Sequence, residues 1–124
     1  MPEVRPKLAR ISEAMQEWSA LLGAELASWP SVKARRMFGM TAFYRGQAIF
    51  AALPRTRAMG SSHSVAFKLC RQNPRIQRML RADPRIYDPG RPDAKWITLE
   101  LESESDLARA LKWFDLAYRN CGRK

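Results

Sequence analysis

The apolar stretch MFGMTAFYRGQAIFAAL, residues 37–53, constrains the fold most strongly, because it is interrupted by Gly39 and by the pair Arg45-Gly46. A two-residue connection containing glycine is typical of a tight β-hairpin, since glycine readily adopts the positive φ that such turns require. Residues 37–44 and 47–53 are therefore predicted to be paired strands. Both faces of the first strand are partly apolar, so a helix, a loop or another subunit must cover its second face.

Amphipathic periodicity predicts a helix at each end of the chain. Apolar residues step by three and four over residues 8–22, and Trp29-Pro30 ends this helix because proline disfavours helical geometry in the residue before it. A second apolar stripe covers residues 107–121 and follows Ser103 and Asp106, which are spaced as in a capping box. Both helices are expected to cover the sheet.

Two more strands and a short helix are predicted between the hairpin and the C-terminal helix. Residues 65–69 and 96–101 alternate between apolar and polar side chains, as half-buried strands do. Asn73-Pro74 indicates a helix start, and that helix should end near Ala82. Residues 54–64 and 83–95, rich in Gly, Pro and Ser, are predicted to be loops.

The order of elements indicates an α+β fold in a single domain, residues 1–124. We predict an antiparallel sheet of about four or five strands, flanked by N- and C-terminal helices plus a short middle helix. The length suits one domain with one core, since chains of this size typically bury about two-thirds of the surface that they expose when unfolded.

The net charge of +10, with a pI near 10.4, favours polyanionic partners, either nucleic acid or an acidic protein. Arginine exceeds lysine throughout, however, and a coding bias toward GC-rich codons also produces that pattern. Basicity alone therefore does not establish nucleic-acid binding.

Cys70 and Cys121 have neither CxxC nor zinc-ligand spacing and are interpreted as two separate thiols in a reducing cytoplasm. The N-terminus lacks the apolar segment of an export signal, and no window approaches the ~20 apolar residues that a membrane helix needs. We expect a cytoplasmic protein with no membrane contact and without a metal or cofactor.

The best candidate nucleic-acid site is basic. Arg71, Arg75 and Arg78 are spaced by four and three along the predicted short helix, so their guanidinium groups would form one stripe that meets successive phosphates. Arg36 and Lys68 are added to this candidate site. The alternative is a solvated helix face, which is what charge runs on amphipathic helices usually are.

Phe38, Tyr44 and Trp96 form a candidate ligand or interface face. If the strands of Lys68 and Trp96 are neighbours, these two residues share a surface with Arg36, Phe38 or Tyr44, and such a surface is suited to base stacking or to an anionic ligand. Alternatively, Trp96 packs under the Pro-rich loop or at a homodimer contact.

No catalytic or metal site is predicted. His63 lies among Ser61, Ser62 and Ser64, but no third residue that would orient a Ser/His pair is identifiable. The alternating glutamates at positions 100, 102 and 104 lack His or Cys partners. We therefore predict a protein that is not an enzyme.

The segments ARRMFGMTAFYRGQAIFAAL, AFKL and KWITLEL, with the terminal helix, resemble the TfoX N-terminal domain family, which has an RRMFGG-like entry, a hairpin turn with a small residue before a Gly, and a strand ending in Lys. Residues 95–118 are similar to the related YjbR/MmcQ family, in which a Trp opens the last strand and a helix follows. The resemblance implies a secretion-chaperone-like fold. Met40 replaces the second Gly of the pattern, and the sequence ends at Lys124, before the C-terminal domain of full-length competence regulators, so a role in competence is not carried over.

Taken together, the residues and the resemblance predict a small non-enzymatic regulatory or binding module that contacts nucleic acid through a basic face. The alternative is a protein-interaction or chaperone-like homodimeric module that uses the apolar outer face.

Overall fold

A computed structural model describes residues 9–58, 61–87 and 95–121. The helices are α1 (Glu13–Ala27), α2 (Pro74–Ala82) and α3 (Ser105–Cys121). The strands are β1 (Ala9–Arg10), β2 (Val32–Met37), β3 (Met40–Arg45), β4 (Ala48–Pro54), β5 (Arg57–Ala58), β6 (Ser64–Lys68), β7 (Ile86–Tyr87) and β8 (Trp96–Glu100). The predicted α+β class, with an N-terminal, a short middle and a C-terminal helix, is confirmed.

The main sheet is antiparallel, in the order β2-β3-β4-β6-β8-β7. Five of its strands have five residues or more, as predicted, and β7 adds two residues at one edge. The short strands β5 and β7 fall inside segments predicted to be loops, so those predictions were wrong at these residues. Strand β2 forms the other edge, and five of its six residues are exposed.

The main core lies between the helices and one face of the sheet. Helices α1 and α3 both contact β4, and α3 also contacts β6. Cross-strand register places Phe43, Ala51, Phe67 and Ile97 in one row on this face, and all four are buried. The rings of Phe67 and Trp113 of α3 stack with their centroids 5.2 Å apart, which joins the central strand to the helix layer.

The face of the sheet opposite the main core, called the second face below, carries a row of small residues. Ala42 is paired with Ala52, and Ala52 is paired with Ala66, so three alanines lie side by side across β3, β4 and β6. Met40, Ala52 and Ala66 form a smaller buried cluster against which Trp96 packs. In the described part of the chain, the helices pack on the opposite face.

The predicted strand over residues 37–44 was wrong at its start, because Phe38 and Gly39 form a turn and residues 32–37 form the separate strand β2. Met37 is paired with Met40, so the loop has two residues, and φ is +54° at Phe38 and +76° at Gly39. A two-residue loop of this kind needs positive φ at both positions, usually supplied by Asn-Gly. An aromatic residue in that conformation is rare, which is why the sequence favoured a continuous strand.

Gly39 and Gly46 offer a matched test of this turn geometry. Both have positive φ, which costs alanine about 1 kcal/mol. A Cβ at Gly39 would also lie 2.8 Å from Arg57 Cγ and from Thr56 Oγ1, whereas a Cβ at Gly46 would meet nothing within 4 Å. We expect Gly39→Ala to lower the free energy of unfolding by roughly 2 kcal/mol or more and Gly46→Ala by only about 1 kcal/mol. Urea unfolding of both variants measures the difference. Equal losses of unfolding free energy would show that the Thr56 and Arg57 side chains move away from a Cβ at Gly39 at no cost.

The interpretation of Cys70 and Cys121 as two separate thiols was wrong, because the two residues form a disulfide bond. Cys70 follows β6 and Cys121 ends α3, and their Cα atoms are 5.2 Å apart although 51 positions separate them in sequence. The bond ties the end of a central strand to the end of the last helix. It also removes the cysteine-based argument for a reducing compartment.

The capping box predicted at Ser103 forms differently. The Asp106 N–H donates to the Ser103 carbonyl oxygen at 3.0 Å, and the Ser103 hydroxyl instead contacts the Ser105 hydroxyl at 2.7 Å. Asp106 is buried, and its carboxylate accepts the Glu102 N–H at 2.8 Å and lies 3.4 Å from Arg85 Nε. The carboxylate therefore stabilises the start of α3 from inside the fold.

Candidate nucleic-acid interface

Charge is strongly segregated along the sequence. Residues 26–82 contain eleven Lys and Arg and no Asp or Glu, a net charge of +11, so the rest of the chain sums to −1 within the total of +10. This segment, called the acid-free segment below, covers strands β2 to β6 and helix α2. The acidic residues of the described chain therefore lie outside these elements.

Ion pairing does not neutralise this segment. Within the described residues, the ion pairs involve Arg85, Arg109 and Arg119, all outside the acid-free segment. Arg45 is an exception among the cations of the segment, because its guanidinium lies over the Tyr118 ring at 4.3 Å and donates to the Tyr118 carbonyl oxygen. The other described cations of the segment have no acidic partner among the described residues, although Arg55 Nε donates to the Met40 carbonyl oxygen at 3.5 Å.

The structure places only part of the predicted arginine stripe on helix α2. Arg71 precedes the N-cap Asn73 and so lies outside α2. Its N–H donates to Asn120 Oδ1 at 3.0 Å, and Asn120 Nδ2 donates to the Arg71 carbonyl oxygen at 2.8 Å. Arg75 and Arg78 do lie on α2, where they are exposed.

Arg81, which the sequence reading left out, completes the exposed side of α2. The buried residues Ile76 and Leu80 form the opposite side of this helix and join the main core. Because α2 packs with the helix layer, its arginines are separated by the sheet from the cations of the second face.

Lys68 and Trp96 lie directly opposite each other on neighbouring strands, and both are half-buried. Tyr44 lies on the same face of the sheet. Arg36 does not, because it is paired with Thr41 in the row that leads to the core residue Leu53. The structure thus divides the predicted basic set into Lys68 on the second face, Arg36 on the helix side, and the arginines in and before α2.

The sequence reading missed the residues that join Tyr44. Arg35 is paired with Ala42 and Lys33 with Tyr44, so both cations lie on the second face. Together with Gln47 they line an open hollow of about 430 Å³ beside the Gly46-Gln47 turn, at the end of the β2–β3 pair that lies away from Phe38. The alternation K-A-R would have identified them had β2 been predicted, because every second strand residue shares a face.

Phe38 does not join Tyr44 and Trp96. It lies in the turn between β2 and β3, with 80% of its surface exposed. Of the three aromatic residues predicted to share a face, two lie on the sheet and the third projects from its corner.

Elsewhere the polar groups satisfy one another. A groove between α2 and α3 contains Asp83, whose carboxylate accepts the Trp113 Nε1–H at 2.7 Å and pairs with Arg109 at 3.1 Å. His63 is exposed and contacts the Ser62 hydroxyl at 3.2 Å, while the Ser61 hydroxyl donates to Glu100 rather than to the imidazole.

Among the described residues, no group of three or more His, Cys, Asp or Glu side chains is placed to hold a metal ion. None of the helices in that part of the chain combines the length and the apolarity needed to cross a bilayer.

Comparison of the chain with protein-family models, with curated proteins and with solved structures finds no match.

Proposed function

We propose that this protein is a small, non-enzymatic binding module that contacts nucleic acid through the cations of the acid-free segment. The single observation that supports this proposal best is the absence of Asp and Glu from residues 26–82, beside eleven Lys and Arg. A surface of one charge sign attracts a polyanion by displacing the counterions condensed on it. Solvated cations without an acidic partner cost the fold little stability, and they gain the most interaction energy when they contact the phosphates of a nucleic acid.

The second face of the sheet supplies two cation-aromatic pairs for this contact. Lys33 and Arg35 lie beside Tyr44 on the β2–β3 side, and Lys68 lies beside Trp96 on the β6–β8 side. With neighbouring strands about 4.8 Å apart, Tyr44 and the Lys68–Trp96 pair are separated by roughly 10–15 Å across β4. Cations bind phosphates and aromatic rings stack on bases with little regard to sequence, so we expect binding without strong sequence preference.

Salt dependence tests this proposal. We expect the protein to bind a labelled single-stranded oligonucleotide, with log K falling linearly as log salt rises. The triple variant Lys33→Gln/Arg35→Gln/Lys68→Gln should lower the affinity at low salt at least tenfold and reduce the salt slope by about 2, because each lost phosphate contact on a single strand reduces it by about 0.7. Fluorescence anisotropy at several salt concentrations measures both quantities.

Lys112→Gln is the matched control, because Lys112 is exposed on α3, outside the acid-free segment. It should change affinity less than twofold. No binding by the unaltered protein at low salt would end the proposal, and an equal loss per charge in the control would show that net charge alone, rather than this face, attracts the ligand.

The resemblance to the TfoX N-terminal and YjbR/MmcQ families supports a regulatory binding module of secretion-chaperone-like fold. The proposal includes a cytoplasmic location only because of that resemblance, since the disulfide bond removes the argument from separate thiols.

A second candidate is a protein-interaction or chaperone-like module that forms a homodimer or binds an acidic protein. The exposure of Phe38 and Met37 at one corner favours it, since exposed apolar groups often mark contacts. Sedimentation velocity over a wide concentration range separates the two candidates, because a homodimer dissociates on dilution and a monomeric module does not change.

A further inference from the structure

The turn between β2 and β3 presents an aromatic ring in an unfavourable setting. Phe38 is 80% exposed and has φ +54°, a conformation in which a bulky residue is strained. Asparagine or glycine would adopt the same turn at lower cost, and neither would expose a large apolar surface. Because most of its surface is exposed, Phe38 contributes little to the core.

The backbone at this corner is firmly held. The Gly39 carbonyl oxygen accepts three N–H groups, from Arg55 and Thr56 at 2.9 Å and from Arg57 at 3.2 Å. Gly39 also packs so closely against Thr56 and Arg57 that a Cβ there would lie 2.8 Å from either side chain. The backbone next to the aromatic ring is therefore held by three hydrogen bonds and by close packing.

Four arginines lie close to Phe38 along the backbone. Arg35 and Arg36 precede it on β2, and the N–H groups of Arg55 and Arg57 donate to the carbonyl oxygen of its neighbour Gly39. All four are exposed, and none pairs with an acid within the described residues. We call Phe38 with these four arginines the hairpin tip.

The arginines are arranged around the hairpin and not in one plane. Arg35 lies on the second face of the sheet, and Arg36 lies on the face toward the helices. A flat anionic surface, such as a bilayer, engages cations in a single plane, whereas a flexible polyanion can wrap around an edge. Guanidinium groups bind phosphate through paired N–H donors, and an exposed aromatic ring stacks on an unpaired base.

We propose that the hairpin tip binds single-stranded nucleic acid, with the Phe38 ring stacked on one unpaired base and the four arginines holding the flanking phosphates. This inference rests on the proposed function and specifies its substrate class, because the bases of a duplex are already stacked on one another and offer no free face to the ring.

The test uses single strands that carry one 2-aminopurine, whose emission reports stacking. The unaltered protein should change that emission on binding. Phe38→Ala should lower affinity for the single strand about tenfold with an unchanged salt slope, since stacking on one base carries no charge. Phe38→Trp should retain the affinity, and affinity for a duplex of equal length should change less than twofold in both variants.

Two further variants keep folding and charge apart from stacking. Phe38→Asn suits the positive φ, so it should melt no lower than the unaltered protein yet bind as weakly as Phe38→Ala. Arg35→Gln/Arg57→Gln should weaken binding to single strands and reduce the salt slope by about 1.4.

The outcomes are distinct. If Phe38→Ala binds single strands as well as the unaltered protein does, the stacking inference is overturned while the proposed function stands. If the unaltered protein binds no oligonucleotide at low salt, both fail. If Phe38→Ala instead loses binding to phosphatidylserine vesicles and keeps its affinity for oligonucleotides, the hairpin tip is a membrane contact and the inference is again overturned.

Discussion

Reduction of the Cys70–Cys121 disulfide bond is expected to lower the free energy of unfolding by about 4 kcal/mol, because the bond closes a loop of 51 positions in the unfolded chain. The bond restricts the unfolded ensemble, and a long loop has more conformational freedom to lose than a short one. Since a domain is stable by only about 5–15 kcal/mol, this loss is a large share of the total.

Urea unfolding with and without reductant measures this effect. The double variant Cys70→Ser/Cys121→Ser should unfold at the same low urea concentration in both conditions, because it has no bond to reduce. Two free thiols titrated in the denatured, unreduced protein would show that the disulfide does not form in solution, and an unchanged midpoint on reduction would show that it contributes little.

Replacing Asp106 with alanine is expected to cost roughly 2–3 kcal/mol, because the buried carboxylate satisfies a backbone donor and lies beside two arginines. The Glu102 N–H loses its acceptor at 2.8 Å, and Arg85 and Arg109 each keep only their second carboxylate partner, Glu102 and Asp83 respectively. The variant Asp115→Asn is the control, since Asp115 pairs with Arg119 at the surface and such pairs contribute about 0–1 kcal/mol. Equal losses in the two variants, measured by urea unfolding, would contradict this account.

The same carboxyl makes stability depend on pH. Burial raises the pKa of Asp106, but the hydrogen bond from the Glu102 backbone, the attraction of Arg85 and the further hydrogen bonds outweigh it and hold the pKa below its usual 3.8. The unfolded chain therefore binds this proton first as pH falls. The contribution of Asp106 is present above about pH 4 and is lost as pH falls through the lower pKa of the folded state. As pH falls through this acid range, the free energy of unfolding should decrease less for Asp106→Asn than for the unaltered protein.

Local signals in the sequence predicted those elements whose ends are set by neighbouring residues. Trp29-Pro30 follows α1 closely, and Asn73-Pro74 opens α2 with the Asn73 side chain accepting the Ile76 N–H. The turn at Gly46 likewise has the positive φ that was expected, although the connection is Gly46-Gln47 instead of Arg45-Gly46. Each of these features depends on contacts within a few residues.

The missed features depend on contacts that sequence spacing does not encode. Phe38 has positive φ in a turn, but it is an aromatic residue of the type that strands favour. Strand β2 was therefore not predicted, and neither was the placement of Lys33 and Arg35 beside Tyr44. Nothing in the spacing of Cys70 and Cys121 indicates that their Cα atoms lie 5.2 Å apart. The pairing of Lys68 with Trp96 was stated as conditional on neighbouring strands, and the structure meets that condition.

The basic residues of the candidate interface were likewise only partly predictable. Alternation identified Lys68 as outward on its strand, but the start of α2 excludes Arg71 from the predicted stripe, and Arg81 lies within the predicted helix although it was not assigned to that stripe. The tertiary fold decides which acidic residues lie near which cations. Within the described residues, it leaves the acid-free segment without ion pairs.

The position of β2 at the rim of the sheet affects how the protein behaves at high concentration. A rim strand carries unpaired backbone N–H and C=O groups that can join the same strand of another molecule and begin an aggregate. Lys33, Arg35 and Arg36 oppose this through repulsion between copies, which acts over about 8 Å at physiological ionic strength and about 3 Å in 1 M salt. The concentrated salt that would strip a polyanion from this protein during purification would therefore also remove its protection against self-association into β-ribbons.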